Sequence, residues 1–519
     1  MDSTIPEKDA KVHFIGIKGT GMCALAELMH NKGLYVSGSD REEVFYTDMI
    51  LKEMAIPYNE SFDASHITTM PPPAKDAVRG SPPGTPAEAA GRGSPPDMVI
   101  YSAAYSPETN PEMAEARRLG IPMYKYTDAL GAYSAGFDSS GITGVHGKTT
   151  TTALAGTLIR AAGLPAQILA GSAVGAFGGR STLSLGDKYF VAETCEYRRH
   201  FLSFHPRRII LTSVESDHQD YFPTYEDIRD AFLEYGKLLP PDGELIYCAD
   251  NPGASDVAFS LKSEKPGISL VPYGFSAPGA YGIEMFEARD ERTVMRLRSF
   301  PGELVMRVPG RHTALNAAAA MALTSSLVKK EFGGPDNDGW NEERREGVRK
   351  ALEEFSGSRR RSEILGEAGG ILFMDDYGHH PTAIETTLAG LKEFYPRRRL
   401  VVSFMSHTYT RTAALLDEFA ASFASADVLI LHKIYSSARE AYSGGVTGRT
   451  LFEKTREKLG GVSSHERFHY TEEVEDAAEL LIQLLRSGDL FITMGAGDNW
   501  RLGKKLFEQY REREPGGSP

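Results

Sequence analysis

A glycine-rich loop within residues 141–154, GITGVHGKTTTTAL, separates a short apolar run from a run of helix-forming residues. The order strand, tight loop and helix predicts a parallel α/β unit, because a helix must carry the chain back to the start of the next parallel strand. The loop contains Gly144 and Gly147, and Lys148 and Thr149 follow at the start of the helix. This one stretch restricts the chain to α/β folds.

The same loop predicts a phosphate-binding site, since backbone N–H groups and the dipole at a helix N-terminus favour an anion. Lys148 would place a positive charge on the β- and γ-phosphates, and Thr149, with Thr150 beside it, would offer a hydroxyl to Mg²⁺. The spacing departs from G-x-x-x-x-G-K-[ST], because the residue five positions before Gly147 is Ile142. The alternative is a glycine turn with a chance lysine; the preceding strand and the following threonines favour a nucleotide site.

Acidic residues follow two later apolar runs. Glu193 comes near the end of KYFVAET, and Glu215, Asp217 and His218 follow RRIILTS. The carboxyl ends of parallel strands face the ligand crevice of an open α/β sheet, and Mg²⁺ prefers oxygen ligands. Glu193 and His218 are therefore candidate metal ligands beside Thr149. The alternatives are a surface acid at a strand end and a capping or core histidine.

Apolar runs alternate with helical stretches along the whole chain, as in KVHFIGI near the N-terminus and in ILFMDD, RLVVSFM, ADVLILHKI and DLFITMG near the C-terminus. Such alternation predicts an α/β protein with parallel sheets and helices on both faces. We expect three domains: an N-terminal Rossmann-like domain at 1–137, a central P-loop ATPase-type domain at 138–355 and a C-terminal Rossmann-like domain at 356–519. Residues 71–96 are rich in Pro, Gly and Ala, and predict a disordered surface insertion.

The composition argues against several classes of protein. The 519-residue chain has a net charge of −13 and a pI of about 5.6, so a basic face for nucleic acid is not expected. It has no run of ~18 apolar residues and no apolar signal core near its start, so neither a membrane span nor a leader is expected. Cys23, Cys195 and Cys248 match no zinc or redox spacing and suit a reducing compartment. A cytoplasmic protein is the expected class, and its oligomeric state is left open.

Seven stretches, taken together, resemble the Mur ligases, the ATP-dependent enzymes that form the amide bonds of the peptidoglycan stem peptide. In that family's order they are VHFIGIKGTGMCALAELM, SGSD, HGKTTTT, GRHTALNAAAA, DDYGHHPT, YTRT and MGAGD. The glycine spacing before Lys148 is the family's own form of the phosphate loop. Within the family, the stretches are most similar to the members that join L-alanine to UDP-N-acetylmuramate.

The resemblance implies how ATP and Mg²⁺ are bound. Lys148, Glu193, His218 and Arg361 would be catalytic, and Thr149, Glu193 and His218 would hold the metal. The residues that would bind ATP are those of the phosphate loop together with Asn316 near the adenine, Arg361 at the phosphates and Asp376 near the ribose. Arg361 would reach the phosphates from the junction of the second and third domains.

The resemblance also implies two further substrate sites. Gly16, Gly19 and Gly21 would carry the diphosphate of UDP-N-acetylmuramate. A glycine fingerprint of this kind also occurs in dinucleotide-binding proteins, where Asp40 would be the ribose acid, so a dehydrogenase is one alternative. The phosphate loop argues against it. The residues around the incoming L-alanine would be Tyr377, His379 and Arg411.

Four positions depart from the family pattern. Thr408 replaces the first arginine of a usual H-R-Y-T-R-T stretch, which would remove one of two guanidinium groups that clamp a carboxylate. Cys195 replaces an aspartate, and Ser213 and Thr313 each replace an asparagine. The identity of the amine substrate is therefore less firmly implied than the reaction.

The implied reaction is ATP-dependent ligation of L-alanine to the lactyl carboxylate of UDP-N-acetylmuramate through an acyl phosphate, with closure of the third domain over ATP and the amino acid. The nearest alternative is a murein-peptide ligase, which attaches a recycled tripeptide to the same nucleotide sugar. A noncatalytic nucleotide sensor on the same fold is a third hypothesis, and the presence of Lys148, Glu193 and His218 argues against it.

Overall fold

Three β-sheets divide the chain into an N-terminal, a central and a C-terminal unit. The computed structural model describes residues 9–70, 94–436, 440, 444–460 and 464–513. The insertion predicted at 71–96 lies outside the described residues except for 94–96. Within the described ranges, none of the helices is both long enough and apolar enough to span a bilayer.

The N-terminal unit is a five-stranded parallel sheet in the order β3-β2-β1-β4-β5. Its strands are β1 (Lys11–Ile15), β2 (Tyr35–Ser39), β3 (Tyr58–Asn59), β4 (Met98–Tyr101) and β5 (Met123–Lys125). Its helices are α1 (Thr20–Asn31), α2 (Thr47–Glu53), α3 (Ser65–Thr68), α4 (Pro111–Leu119) and α5 (Tyr126–Ala135). The three central strands β1, β2 and β4 are mostly buried on both faces, as a parallel sheet between helices requires, whereas the edge strands β3 and β5 are partly exposed.

The central unit has a ten-stranded sheet in the order β15-β14-β13-β12-β11-β10-β6-β9-β7-β8. Its strands are β6 (Asp138–Thr143), β7 (Ala166–Val174), β8 (Arg180–Ser184), β9 (Tyr189–Glu193), β10 (Arg208–Leu211), β11 (Glu244–Cys248), β12 (Ser269–Gly274), β13 (Tyr281–Arg289), β14 (Arg292–Leu297) and β15 (Phe300–Met306). Its helices are α6 (Lys148–Ala161), α7 (Tyr225–Gly236), α8 (Pro252–Glu264), α9 (Arg311–Phe332) and α10 (Glu342–Glu353), with 3-10 segments at Gly175–Phe177 and Tyr197–Ser203. The alanine-rich α9 packs closely on α6, because small side chains let the two helices approach.

The C-terminal unit has a six-stranded sheet in the order β16-β17-β21-β18-β19-β20. Its strands are β16 (Glu363–Ala368), β17 (Ile371–Asp376), β18 (Arg399–Met405), β19 (Val428–Leu431), β20 (Phe468–Tyr470) and β21 (Asp489–Gly495). Its helices are α11 (Pro381–Phe394), α12 (Tyr409–Ala414), α13 (Leu416–Ser422), α14 (Gly448–Leu459), α15 (Ser464–Arg467), α16 (Ala477–Leu484) and α17 (Asn499–Glu512). Apolar clusters lie on both faces of this sheet.

The α/β class and the three-unit organisation predicted from the sequence are confirmed, while the residue numbers chosen as domain boundaries stay predictions. The sheets are not purely parallel. β16 pairs antiparallel with β17, because only Gly369 and Gly370 separate the two strands and such a short connection permits only a hairpin. Hairpins likewise make β13, β14 and β15 antiparallel.

Candidate active site

A cavity of about 940 Å³ lies between the central and the C-terminal unit. The central unit contributes the phosphate loop, the residues after β9 and β10, and the start of α9. The C-terminal unit contributes the residues after β17 and the start of α12. The site therefore lies at the carboxyl ends of parallel strands in both sheets, where open α/β sheets bind ligands. Its volume suits a nucleotide-sized ligand.

The phosphate loop has the backbone that the sequence predicted. Gly147 precedes α6 with a φ of 82°, a conformation that glycine adopts without strain. A Cβ at this position would lie 2.6 Å from Oδ1 of Asn316, so a side chain there would displace the Asn316 side chain from the loop. Asn316 accepts a hydrogen bond of 3.2 Å from the Thr151 hydroxyl. Asn316 is thus packed directly against the loop.

Lys148 is the first residue of α6 and makes an ion pair with Glu196. Its Nζ lies 3.0 and 2.9 Å from the two carboxylate oxygens and 2.5 Å from the carbonyl oxygen of Gly144. Burial lowers the pKa of the Lys148 ammonium, but the charge and hydrogen bond of Glu196 and the nearby Cys195 and Glu193 together raise it more, and the pKa lies above its ordinary value. The ammonium is therefore held charged at the cavity wall.

Glu196 is buried, with 1% of its surface exposed. Burial raises the pKa of its carboxyl group, but Lys148 and His218 lower it more, and the net shift is downward. Nε2 of His218 lies 3.5 Å from Oε1 of Glu196. His218 has a φ of 54°, a strained conformation that occurs preferentially at functional sites. Glu196 thus joins the phosphate-loop lysine to the histidine that was predicted as a metal ligand.

Glu193 lies at the end of β9 and also lines the cavity. Its Oε2 accepts a hydrogen bond of 2.8 Å from the backbone N–H of Gly171. A Cβ at Gly171 would lie 2.5 Å from that carboxylate, so the glycine leaves room for Glu193. The sharing of a metal between Glu193 and His218 stays a prediction, because the carboxylate that the structure brings to His218 is that of Glu196.

A buried ion pair crosses from the C-terminal to the central unit. Nε and Nη2 of Arg411 lie 2.8 and 2.7 Å from Oδ1 of Asp217. The two side chains are 5% and 6% exposed. Burial raises the pKa of Asp217, but Arg411 and the neighbouring histidines together lower it more, so that the pKa lies well below its usual range. Arg411 also donates a hydrogen bond of 2.9 Å to Nδ1 of His407.

The loop after β17 is held by Asp376. One of its oxygens accepts a hydrogen bond of 2.6 Å from the N–H of Ser362, and the other accepts one of 2.6 Å from the N–H of Gly378. These bonds fix Tyr377, whose ring lies 5.5 Å from the Arg361 guanidinium. His379 packs on Tyr377 with ring centroids 4.8 Å apart, and burial holds its pKa well below the ordinary value.

A second cavity of about 160 Å³ lies between the N-terminal and the central unit. One end is formed by Thr20 and Gly21, at the start of α1. The other end is formed by Glu193, Cys195 and His200, which also line the larger cavity. The first glycine loop and the phosphate loop therefore line neighbouring cavities that share three residues.

Three family models match the chain in sequence. Residues 11–138 match the Mur ligase family catalytic domain, 142–324 match the Mur ligase middle domain, and 360–497 match the Mur ligase glutamate ligase domain.

The chain belongs to the Mur ligase family.

Relatives of this Mur ligase are similar over nearly their whole length. UDP-N-acetylmuramate–L-alanine ligase of Treponema pallidum subsp. pallidum is 50% identical over 97% of this chain and 97% of its own. The protein of the same name from Borreliella afzelii is 35% identical over 95% of this chain and 97% of its own.

Solved structures share the fold. The UDP-N-acetylmuramate-alanine ligase of Thermotoga maritima has a TM-score of 0.69 and 24% identity, covering 97% of this chain and 100% of that one. A murein peptide ligase from Psychrobacter arcticus has a TM-score of 0.59 and 21% identity, covering 96% and 98%. Both comparisons support the three-domain Mur ligase architecture.

Most predicted site residues of this Mur ligase share the larger cavity. Those that line it are Gly147, Lys148, Thr149, Thr150, Glu193, His218, Asn316, Arg361, Asp376, Tyr377, His379 and Arg411. Among the described residues, Gly21 lines the smaller cavity, whereas Gly16, Gly19 and Gly144 line neither of these two cavities. Gly144 still contributes its carbonyl oxygen to Lys148.

Sequence patterns did not single out Glu196, nor the pairing of Asp217 with Arg411. A usable signal was present for Glu196, because ETCE places a second acid three residues after Glu193 and beyond the strand end. The partner of Asp217 lies 194 residues away, and no local pattern carries that information.

The structure shows where the residues that depart from the family pattern lie and what they contact. Thr408 precedes α12 with a φ of 67° and lines the larger cavity. The Ser213 hydroxyl accepts a hydrogen bond of 2.9 Å from the N–H of His146 in the phosphate loop. The Thr313 hydroxyl donates one of 2.8 Å to the Pro309 carbonyl oxygen. Cys195, the fourth, lines both cavities.

Proposed function

We propose that this Mur ligase joins L-alanine to the lactyl carboxylate of UDP-N-acetylmuramate with hydrolysis of ATP to ADP and phosphate. The observation that carries the proposal is the 50% identity, over 97% of both chains, to an enzyme of that name. The neighbouring cavities support it, because the reaction requires the sugar substrate and ATP to lie side by side. Peptidoglycan precursor synthesis is the corresponding role.

The residues present fit ATP and Mg²⁺. Gly147 has a positive φ that glycine adopts without strain, and it stands directly before α6, whose N-terminus favours a phosphate. The Thr149 hydroxyl and the carboxylates of Glu193 and Glu196 supply the oxygen donors that Mg²⁺ prefers, with His218 beside them. We propose that Thr149, Glu196 and His218 hold the metal, with Glu193 close by. The bound metal would neutralise charge on the transferred phosphoryl group.

The bond changes follow from the substrates. The carboxylate oxygen of the lactyl group forms a bond to the γ-phosphorus as the bond to ADP breaks, which gives an acyl phosphate. The amine nitrogen of L-alanine then bonds to the acyl carbon, phosphate leaves and the amine loses a proton. The Lys148 ammonium is positioned to release the Glu196 carboxylate and to bind phosphate oxygens instead. Arg361 lines the same cavity and would add a second positive charge.

The C-terminal unit would supply the amine site. Tyr377, His379 and Arg411 come from this unit and line the cavity. Arg411 is held by Asp217 of the central unit, so the amine site and the ATP site are assembled by the same interdomain contact. Such assembly excludes water from an acyl phosphate that would otherwise hydrolyse.

We propose a role for each unit. The N-terminal unit (predicted at 1–137) binds the UDP-sugar, the central unit (138–355) binds ATP, and the C-terminal unit (356–519) closes over ATP and the amino acid. We place the enzyme in the cytoplasm, because its three cysteines are free and its substrates are nucleotides. A nucleic-acid partner is not part of the proposal, given the net charge of −13.

The test is a phosphate-release assay with ATP, Mg²⁺ and UDP-N-acetylmuramate, to which L-alanine or the murein tripeptide is added. We expect release to depend on L-alanine and the product to gain one alanyl residue by mass spectrometry. Release with the tripeptide and not with L-alanine would instead identify a recycling ligase. Omission of UDP-N-acetylmuramate is the control for ATP hydrolysis.

A further inference from the structure

Three side chains that the proposed reaction does not use converge on the interface between the central and the C-terminal unit. They are His146 in the phosphate loop, Glu215 after β10 and His380 at the start of α11. One ligand atom from each, an imidazole nitrogen or a carboxylate oxygen, lies within 4.8 Å of the other two. Two of the residues belong to the central unit and the third belongs to the C-terminal unit.

The hydrogen bonds of these three side chains leave one imidazole nitrogen available to a metal ion. Nε2 of His146 is buried and has no hydrogen-bond partner among the described residues. It lies 3.5 Å from Oε2 of Glu215, longer than a normal hydrogen bond. His380 makes two contacts at the long end of the range, 3.3 Å to the Ser216 carbonyl oxygen and 3.4 Å from the Thr382 N–H. Exchange of one such contact for a metal bond would cost little.

Glu215 is oriented by neighbours on both sides. Asn251 donates a hydrogen bond of 3.2 Å to Oε1, and the Thr382 hydroxyl donates one of 3.0 Å to Oε2. A carboxylate that is fixed by flanking hydrogen bonds is typical of metal ligands. The rings of His146 and His380 lie with their centroids 4.7 Å apart, so both imidazoles are already close to the same point.

The chemistry of the three ligand atoms favours one kind of cation. Two imidazoles and one carboxylate match Zn²⁺ with an open fourth position, whereas Mg²⁺ prefers oxygen ligands in octahedral geometry. We propose that His146, Glu215 and His380 form a site for Zn²⁺ or a similar borderline cation, separate from the magnesium ligands, and that the bound ion ties the C-terminal unit to the central unit. The ion bridges two units because no single unit supplies all three ligands.

The first test is calorimetric titration of Zn²⁺ into the full chain at pH 7 with excess Mg²⁺. We expect one zinc site in the parent protein. His380→Asn keeps an oxygen that can cap α11 but removes the imidazole, and Glu215→Gln keeps the shape of the carboxylate but removes its charge. Each variant should weaken zinc binding by at least about tenfold. Unchanged zinc affinity in either variant would overturn the proposal.

Two control variants locate the site. His218→Asn removes a histidine of the same cavity that lies beside Glu196, and His205→Asn removes an exposed histidine of the central unit. Both should bind zinc as the parent does, and loss of binding in His218→Asn would show that zinc occupies the magnesium ligands instead. Titration with Co²⁺ adds a spectroscopic readout: the strong visible bands of four-coordinate Co²⁺ should appear in the parent and be absent in His380→Asn. Bands of equal strength in that variant would contradict the assignment.

A separate measurement tests whether bound zinc holds the central and C-terminal units together. Bound zinc should slow amide hydrogen exchange at the start of α11 and in the residues after β10, because these segments carry ligands from opposite units. The effect should vanish in His380→Asn. Exchange that zinc leaves unchanged in the parent would show that the ion does not join the two units.

Discussion

The N-terminal and central units begin in the same way, with a strand, a glycine loop and a helix, but they use the loop lysine differently. Lys18, in the first loop, has a side chain that is 0% exposed and lies 3.1 Å from Asp48 and 3.0 Å from Glu60. Lys148, in the second, is 14% exposed, lies 2.9 Å from Glu196 and lines a cavity of about 940 Å³. Both are ion-paired, yet only Lys148 faces space that a ligand can fill.

The comparison shows that a glycine-loop motif does not by itself assign a role to its lysine. Lys18 also donates to the backbone carbonyl oxygen of Glu43, so its ammonium ties together the segments that surround the first loop. Replacing such contacts with a phosphate would require the loop to rearrange. The Lys148 ammonium, in contrast, needs only to replace its ion pair with Glu196 by contacts to phosphate oxygens. We therefore expect loss of Lys18 to affect stability and loss of Lys148 to affect catalysis.

The largest expected effect is on catalysis. Lys148→Met should lower kcat by about 10³-fold or more, because a positive charge on the transferred phosphoryl group is worth this much in related reactions. Phosphate release with saturating substrates measures it, and circular dichroism confirms the fold. Lys329→Met, at an exposed position of α9, is the matched control and should retain the parent rate. A near-normal rate in Lys148→Met would remove this residue from the mechanism.

The second effect is on stability. Lys18→Met should destabilise the N-terminal unit by about 3 kcal/mol, because Asp48 would remain buried without its cation. Hydrogen exchange of β1 and β2 amides reports the free energy of opening of this unit alone. Lys52→Met, which removes an exposed lysine of α2, should leave that free energy nearly unchanged. If both variants behave alike, Lys18 does not have the structural role inferred here.

A smaller effect is expected at position 408, where this chain has a threonine in place of the arginine of the family pattern. Thr408→Arg should lower the KM for L-alanine by about tenfold with little change in kcat, because a charge-assisted contact contributes about 1.5–3 kcal/mol and would act equally in the ground and transition states. Thr408 lines the cavity, whereas the control Ala414→Arg adds the same charge at an exposed position. An unchanged or raised KM would show that position 408 does not contact the amino acid, or that its charge is supplied elsewhere. One candidate, Arg439, lies outside the described residues.

The smallest effect is a change with pH in how much Lys18 stabilises the N-terminal unit. Burial raises the pKa of Asp48, but hydrogen bonds from Phe45, Tyr58 and Lys18 lower it more. A carboxyl whose folded pKa is lowered stabilises the fold above its unfolded pKa of about 3.9, and the contribution is lost as the pH falls through the folded value. The stability gap between the parent and Lys18→Met should therefore narrow between pH 5 and pH 3, by about 1.4 kcal/mol per unit of pKa shift. A gap that stays constant would show that Lys18 does not act through Asp48.

The sequence predicted much of this molecule because its strongest signals are local. Apolar runs and glycine loops located β1, β6 and the strands β17, β18, β19 and β21 of the C-terminal unit, and the position of Lys148 at the helix start placed it at the cavity. What the patterns missed depends on packing between distant segments. Glu196 faces Lys148 only because the chain turns after β9, and Arg411 meets Asp217 only when two units close. The antiparallel edge strand β16 was not predicted, because its sequence EILGEA holds no continuous apolar run and it is only partly buried.

The Arg411–Asp217 pair also bears on how the enzyme responds to dissolved salt. Surface pairs such as Arg117–Glu108, with side chains 62% and 70% exposed, are screened by ions over a Debye length of about 8 Å at physiological ionic strength. Arg411 and Asp217 are almost excluded from solvent, so counter-ions cannot enter between them. The contact between the central and C-terminal units should therefore persist through osmotic changes that weaken surface pairs, and high salt should reduce ligation through substrate binding before it opens the interface.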